Sequence, residues 1–176
     1  IRRPPRSTLD RSSAASDVYK RQSAYDAWTQ DKLLERLWGE HIHLGFYPSG
    51  KKNIDFRKAK VQFVHELVKW SGLDKLPQGS RILDVGCGIG GSSRILAEYY
   101  GFNVTGITIS PAQVKRAREL TPHGLNCNFQ VMDALDLKFE DGSFDAVWSV
   151  EAGAHMNDKT RFADEMLRTL RPGGYL

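Results

Sequence analysis

The stretch LDVGCGIGGSSRIL, residues 83–96, restricts the possible folds more than any other part of this 176-residue chain. A short apolar run ends in a turn with glycines at 86, 88, 90 and 91, and small and aliphatic residues follow. That order predicts a strand, a tight turn and a helix. Glycine enters the left-handed backbone region without steric cost and lets the chain come close to a ligand. A turn of this kind presents its N–H groups at the start of a helix to whatever is bound there.

The elements downstream alternate strictly. RILDV predicts a buried strand, followed by a helix from about Gly91 to Tyr100. NVTGITI is a second strand, and SPAQVKRAREL a helix with Ser110 as N-cap and Pro111 at its first position. CNFQVM and FDAVWSV are the third and fourth strands, NDKTRFADEMLRTL is a helix, and RPGGYL turns into a fifth strand. Strands alternating with helices specify an α/β, Rossmann-like parallel sheet covered on both faces. Upstream, AYDAWTQDKLLERLWG predicts a helix that places Trp28, Leu33, Leu34, Leu37 and Trp38 at helical spacing and stops at Gly39. DFRKAKVQFVHELVKWSGL predicts another, with Phe56, Ala59, Phe63, Leu67 and Trp70 near one face and Gly72 as its stop. The chain therefore divides into a tail (1–22), an N-terminal helical lid (23–79) and a core (80–176).

The formal charge of +4 has to be located before it is interpreted. Residues 1–22 carry six Lys/Arg against two acids, and the remainder is balanced, so the whole excess lies in the tail. The body offers no electrostatic case for nucleic acid. The tail shows neither helical nor strand periodicity. Its Arg- and Ser-rich composition fits a disordered arm or the remnant of a targeting peptide, and it resembles translated sequencing-adapter read-through. It is set aside from the fold, and a core ending at the start of a fifth strand reads as a C-terminally incomplete fragment. On that reading residues 23–176 alone would be poorly stable and inactive. No apolar run approaches the roughly 18 residues of a membrane-spanning helix. Cys87 and Cys127 read as reduced, buried small residues.

Two ligands compete for the glycine turn. Glycines 86, 88 and 91 satisfy the dinucleotide pattern, in which a pyrophosphate sits on the helix and an acid about 20 residues on binds the ribose. Here Asp84 stands two residues before the first glycine, where it would repel a pyrophosphate. A carboxylate there suits an ammonium-bearing ligand without phosphate, such as S-adenosylmethionine. Thr108, at the end of the second strand, and Gln113 could hydrogen-bond a ribose; alone, they are equally a strand end and a surface helix residue. Asp133, in MDALDL, could accept from an adenine amino group, with the Ala134 N–H meeting a ring nitrogen.

These pieces in order, DVGCGIG (84–90), GITIS (106–110), DAL (133–135), FDAVWSVEAGAHM and LRPGG, resemble a class I S-adenosylmethionine-dependent methyltransferase. LWGEHIHLGFY and GITISPAQVKRARELT extend the resemblance to the tocopherol and plastoquinol methyltransferases, and WSVEAGAHM points to the 2-methyl-6-phytylbenzoquinol and solanesylbenzoquinol enzymes among them. The resemblance covers about residues 24–176. It implies S-adenosylmethionine as cofactor, with Asp84, Gly86, Gly88 and Gly90 around its methionine part, Thr108 and Gln113 at the ribose, and Asp133 and Ala134 at the adenine. It also implies a lipid-like prenylated benzoquinol as methyl acceptor, and a cytoplasmic or plastid setting beside a photosynthetic membrane. Peripheral membrane association would then run through segments outside these residues. A sterol or other small acceptor, and an inactive cofactor-binding fragment, are the alternatives.

Methylating a ring carbon requires withdrawing a proton from a ring hydroxyl, which pushes electron density onto the ortho carbon. His155 is the candidate base, since imidazole titrates near neutral pH, and Glu151 would orient it or bind the second hydroxyl. Equally, His155 could cap the helix that follows. His41 and His43 are two apart in GEHIHLG, but a metal site needs three or four ligands, and none is expected. The segment instead reads as a lid, with Tyr25, Trp28, Trp38 and Tyr47 as apolar cover; for Trp38 and Trp70 the alternative is packing the N-terminal helices on the sheet.

Overall fold

In the computed structural model, which describes residues 8–49 and 53–176, five parallel strands form one sheet. Their order is β3-β2-β1-β4-β5, with β1 Arg81–Val85, β2 Asn103–Thr108, β3 Cys127–Val131, β4 Phe144–Trp148 and β5 Leu170–Tyr175. The connecting helices are α4 (Gly91–Tyr100), α5 (Pro111–Leu120) and α6 (Lys159–Thr169); α1 (Thr8–Gln30), α2 (Leu33–Trp38) and α3 (Phe56–Ser71) precede the sheet. Strand order reverses between β1 and β4, so a crevice opens at their carboxyl ends, where doubly wound sheets bind ligands. The glycine turn follows β1 and residues 149–156 follow β4, which puts the two most informative stretches of the sequence on either side of that crevice.

Alternation along the strands sorts side chains onto two faces. Ile82, Val104, Ala146 and Trp148 pack against Val64 and Val68 of α3 and Ile95, Leu96 and Ala97 of α4. Leu83, Val85, Ile107 and Val147 pack on the other face against Phe162 and Met166 of α6 and the 134–137 loop. Phe129 is the register partner of Gly106, itself the partner of Asp84, so its ring lies on the first face. There it meets Val114 and Ala117 of α5.

Each core helix begins and ends where local chemistry dictates. Asp55 caps α3, accepting from the Arg57 and Lys58 N–H groups, and Gly72 closes it in a left-handed conformation. Ser110 caps α5 and accepts from the Gln113 N–H, with Pro111 next. Asp158 caps α6, accepting from the Arg161 N–H; the helix after β4 thus has its cap without His155.

Three sequence expectations need correction. Residues 8–22 lie within α1, although their apolar residues trace no single helical face; residues 1–7 of the tail fall outside the described residues. The helix expected from Ala24 to Gly39 breaks at Lys32, which adopts a left-handed φ of 55° while the Asp31 carboxylate accepts from the Leu33 N–H. On α3 the buried residues are Ala59, Lys60, Val64 and Val68, and Trp70 is 85 % exposed. The amphipathic face is therefore rotated from the one that the aromatic residues suggested.

The N-terminal helices are fastened to α5 by polar contacts. Asp26 Oδ1 accepts from the Ser110 hydroxyl (2.5 Å) and the Ala112 N–H (3.2 Å). Arg116 binds the Glu35 carboxylate through Nε and Nη2 at 2.8 and 2.6 Å. Ser110→Ala removes both the helix cap and the Asp26 contact. We expect a loss of about 1–2 kcal/mol, read as a lower urea midpoint at unchanged slope.

Candidate functional site

A cavity of ≈ 210 Å³ lies over the carboxyl ends of β1, β2 and β4. The glycine turn forms its floor, and each glycine there serves a different purpose. At Gly86 (φ 82°) a Cβ would stand 2.4 Å from the Ala152 Cβ, so the loops after β1 and β4 can meet only if residue 86 has no side chain. At Gly90 (φ 83°) it would stand 2.6 Å from the Phe129 ring. At Gly88 (φ 55°) no atom lies within 4 Å, and this residue lines the cavity. Gly88 is thus the place where open space and a bare backbone coincide, whereas Gly90, which is not part of the lining, is structural.

Asp84 is 3 % exposed and lines the cavity. Burial pushes its carboxyl up to about 6, against the opposing effect of the Ser93 hydroxyl, which donates to Oδ2 at 2.6 Å. Its hydrogen-bond partner, Ser93, is a neutral hydroxyl, and among the described residues no cation pairs with it, so a cation in the cavity would complete an ion pair. The same burial drives the Cys87 thiol well up, and Cys127 to about 12, so both remain protonated.

Thr108 and Gln113 are both buried and are joined to each other. The Thr108 hydroxyl donates to Gln113 Oε1 at 2.6 Å, which orients the amide and leaves its NH₂ as a donor. Asp133 Oδ1 accepts from the Leu135 N–H at 2.9 Å, leaving the other carboxylate oxygen as an acceptor beside the buried Ala134. All four residues line the same cavity as Asp84.

The two candidate catalytic residues differ in their surroundings. His155 sits in a short 3₁₀ turn, Gly153–His155, with its ring edge-on to Tyr25 at 6.1 Å between centroids, and it lines the cavity. Glu151 also lines it, at a left-handed φ of 57°, a strained conformation for a non-glycine residue. Its Oε1 accepts from the Leu44 N–H at 3.1 Å. This bond ties Glu151 to the 39–46 strap and not to His155.

Residues 39–46 form a strap without regular secondary structure, and Gly39, Glu40, His41, Ile42 and His43 in it line the cavity. His41 Nδ1 and His43 Nε2 are 3.0 Å apart, and His43 Nδ1 is 2.8 Å from the Leu44 carbonyl. A carbonyl only accepts, so His43 Nδ1 carries the proton, its Nε2 accepts, and His41 Nδ1 donates. Both rings are neutral: burial lowers His43, and burial with the nearby His43, Arg94 and Lys60 takes His41 down to about 3. Among the described residues no third His, Cys, Asp or Glu joins them to make a metal site. Lys60 donates to the His41 carbonyl at 2.7 Å, and Glu40 binds the buried Arg94 at 2.6 Å. Tyr25 and Trp28 line the cavity, whereas Trp38 and Tyr47 are not among its lining residues. Trp38 instead packs edge-on to Phe56.

Sequence reasoning missed the clamps, namely Asp26 on Ser110, Glu35 on Arg116 and Glu40 on Arg94. Each joins residues 54 to 84 positions apart, and no local pattern marks such a pair. The Trp148 indole in the cavity wall was missed as well; an aromatic residue ending a buried strand gives no signal beyond core packing.

Comparison with known proteins adds the family. The methyltransferase domain family matches residues 83–176. The 2-methyl-6-phytyl-1,4-hydroquinone methyltransferase of Synechocystis sp. is 62 % identical over 154 residues, 88 % of this chain and 48 % of that protein. The chloroplastic tocopherol O-methyltransferase of Arabidopsis thaliana is 43 % identical over 152 residues, 81 % of this chain and 44 % of that protein. The chain spans about half the length of these curated relatives. Among solved structures, the [4+2]-cyclase SpnF superposes with a TM-score of 0.78 at 30 % identity, covering 89 % of this chain and 57 % of that one.

The glycine geometry separates fold from binding. Gly90→Ala drives a methyl into the Phe129 ring and costs on the order of 2–5 kcal/mol, seen as a large fall in melting temperature. Gly88→Ala meets no atom and costs only about 1 kcal/mol of backbone strain. If the Gly88 backbone holds the ligand, the expected outcome is nevertheless a loss of binding in an S-adenosylhomocysteine titration.

Proposed function

The chain belongs to the methyltransferase domain family, and from that premise we propose that it binds S-adenosylmethionine and methylates a ring carbon of a prenylated benzoquinol. The observation that carries the reading is the buried Asp84 carboxylate beside the open Gly88 backbone, an acid where a phosphate ligand would be repelled and a cationic amino-acid end is favoured. In this reading Asp84 and the glycine turn hold the methionine part. Thr108 and the Gln113 amide take the ribose, and Asp133 and Ala134 the adenine. When bound, the donor supplies an electrophilic methyl group. A prenylated quinol suits a photosynthetic organism or plastid, in line with the sources of the two curated relatives.

The remaining chemistry falls to the chain. His155 would take the proton of the ring hydroxyl, and the Tyr25 ring beside it fixes the imidazole plane. Glu151 would act at one remove, since its bond to Leu44 holds the strap over the cavity and keeps water from the reacting atoms. Donor and acceptor held together in this way need little further reorganisation.

The test uses the longer reading frame from the same source, given isotope-labelled S-adenosylmethionine with 2-methyl-6-phytylbenzoquinol, γ-tocopherol and a sterol side by side. Label is expected in the first alone; label only in the sterol would overturn the acceptor. His155→Ala should lower kcat by about 10²–10⁴-fold with S-adenosylhomocysteine affinity unchanged. Glu151→Gln, whose amide oxygen can still accept from Leu44, should retain most activity; a loss as large as that of His155→Ala would mean that the carboxylate itself reacts.

Ligand binding should also follow the ionisation of Asp84. Its folded value, about 6, lies above the ordinary 3.8, so its contribution to stability is complete below pH 3.8 and is lost as the pH rises through 6. A cationic ligand reverses that preference. S-adenosylhomocysteine should therefore bind progressively more weakly below pH 6, and Asp84→Asn should bind weakly with no such dependence. Tighter binding of NADH than of S-adenosylhomocysteine would sink the reading.

A further inference from the structure

The ribose part of the cavity is short of an acceptor. In the dinucleotide pattern an acid about 20 residues after the glycines accepts from a ribose hydroxyl. Here no Asp or Glu occurs between Glu98 and Glu119, and Thr108 ends β2 in its place. The Thr108 hydroxyl donates to Gln113 Oε1 at 2.6 Å, and its oxygen already accepts from the Ser110 N–H at 3.3 Å. What this pair offers a ligand is chiefly the Gln113 NH₂, a donor. A ribose diol brings two O–H donors of its own, and donors left without an acceptor weaken binding.

Among the described residues five carboxylates line the cavity, Glu35, Glu40, Asp84, Asp133 and Glu151. Both oxygens of Glu35 accept from Arg116. Asp84, at the end of β1, and Asp133, after β3, are assigned to the methionine and adenine parts. Glu151 follows β4, and β1 lies between β4 and β2. That leaves Glu40. Among the described residues only its Oε2 is engaged, accepting from Arg94 Nη2 at 2.6 Å, and its side chain is 46 % exposed. Arg94 is buried and also donates to the Ile89 carbonyl of the glycine turn at 2.8 Å. The same guanidinium reaches the Ala117 carbonyl and the Thr121 hydroxyl, at the end of α5, at 3.5 Å. The Glu40 carbonyl lies 2.7 Å from where a Cβ of Gly91 would stand. Glu40 is therefore seated over the start of α4, held by a side chain that bridges the glycine turn and α5, the helix that carries Gln113.

We propose that the free carboxylate oxygen of Glu40 accepts from the ribose hydroxyls of the methyl donor, so that an acid on the strap supplies what the end of β2 lacks. The proposal deepens the S-adenosylmethionine reading and rests on it for the identity of the ligand. It ties the place of the strap to recognition of the nucleoside, because the residue that reads the diol is also the one that fastens the strap to Arg94.

The experiment is calorimetric titration of S-adenosylhomocysteine and of its 2′,3′-dideoxy analogue into the protein of the longer reading frame and its variants. The native protein should favour the diol-bearing ligand by about 10–100-fold, as hydrogen bonds to a charged acceptor provide. In Glu40→Gln the amide oxygen can still accept from Arg94, while the NH₂ replaces the free acceptor. The ratio of the two affinities should fall there by about tenfold. Glu35→Gln alters a lid acid that Arg116 engages in full, and should lower both affinities together with the ratio kept. A ratio in Glu40→Gln equal to the native one overturns the proposal, since Glu40 then only clamps the strap. Where Glu40→Gln melts too low to titrate, Glu40→Asp takes its place, because it keeps a carboxylate for Arg94 but draws the free oxygen back by one methylene. An undiminished ratio in that variant overturns the proposal as well. Binding of S-adenosylhomocysteine with a ratio indifferent to residue 40 leaves the methyl-donor reading standing; no binding by the native protein removes both.

Discussion

The ring of Phe129 is the wedge on which the site depends. It fills the space left by two glycines that are far apart in sequence, lying 2.6 Å from where a Cβ of Gly90 would stand and 2.8 Å from one at Gly106. The turn after β1 is therefore held against the sheet, where the Gly86 and Cys87 N–H groups both donate to the Ile107 carbonyl of β2 at 2.9 and 3.0 Å. Phe129 is itself 1 % exposed and held by Val114 and Ala117 of α5, so the turn inherits the rigidity of the core. Placing Asp84 beneath this turn costs solvation that no other buried group recovers in full. The buried carboxylate is thus slightly unfavourable for the fold and favourable for a cation beside it.

The lid follows a different physical rule. Its attachments are polar and long-range, a serine hydroxyl on Asp26, a bidentate guanidinium on Glu35, Arg94 on Glu40 and Glu151 on a strap N–H. Such contacts are directional, and they exchange for water at little net cost when they open. Apolar packing would hold the lid more tightly and with less regard to geometry.

Local chemistry made the core legible in the sequence, and its absence hid the lid. The bounds of β1, α4 and α5 follow directly from RILDV, from the glycines flanking the first helix, and from Ser110–Pro111. The cavity gathers Asp84, Gly86, Gly88, Thr108, Gln113, Asp133, Ala134, Glu151 and His155, because each lies near the carboxyl end of a strand or in the connection that leaves it. Aromatic residues misled the reading wherever burial was inferred from hydrophobicity alone. Trp70 is exposed, while Lys60, with its ammonium on two backbone carbonyls, is buried in its place. The break at Lys32 carries no proline or glycine, and Glu151 bonds to a residue 107 positions away. A one-dimensional pattern contains neither.

The close approach of Gly86 and Ala152 joins the ends of two paired strands, where the Ser149 hydroxyl also donates to the Val85 carbonyl at 3.0 Å. Gly86 follows the first strand and Ala152 the fourth, and the 2.4 Å between the missing Cβ and the alanine methyl leaves no room for a side chain at residue 86. The width of the crevice is thus set by two small residues acting as a spacer. Descendants of this sequence could place a side chain at residue 86 only by forcing the loops apart, which would change the width of the crevice itself.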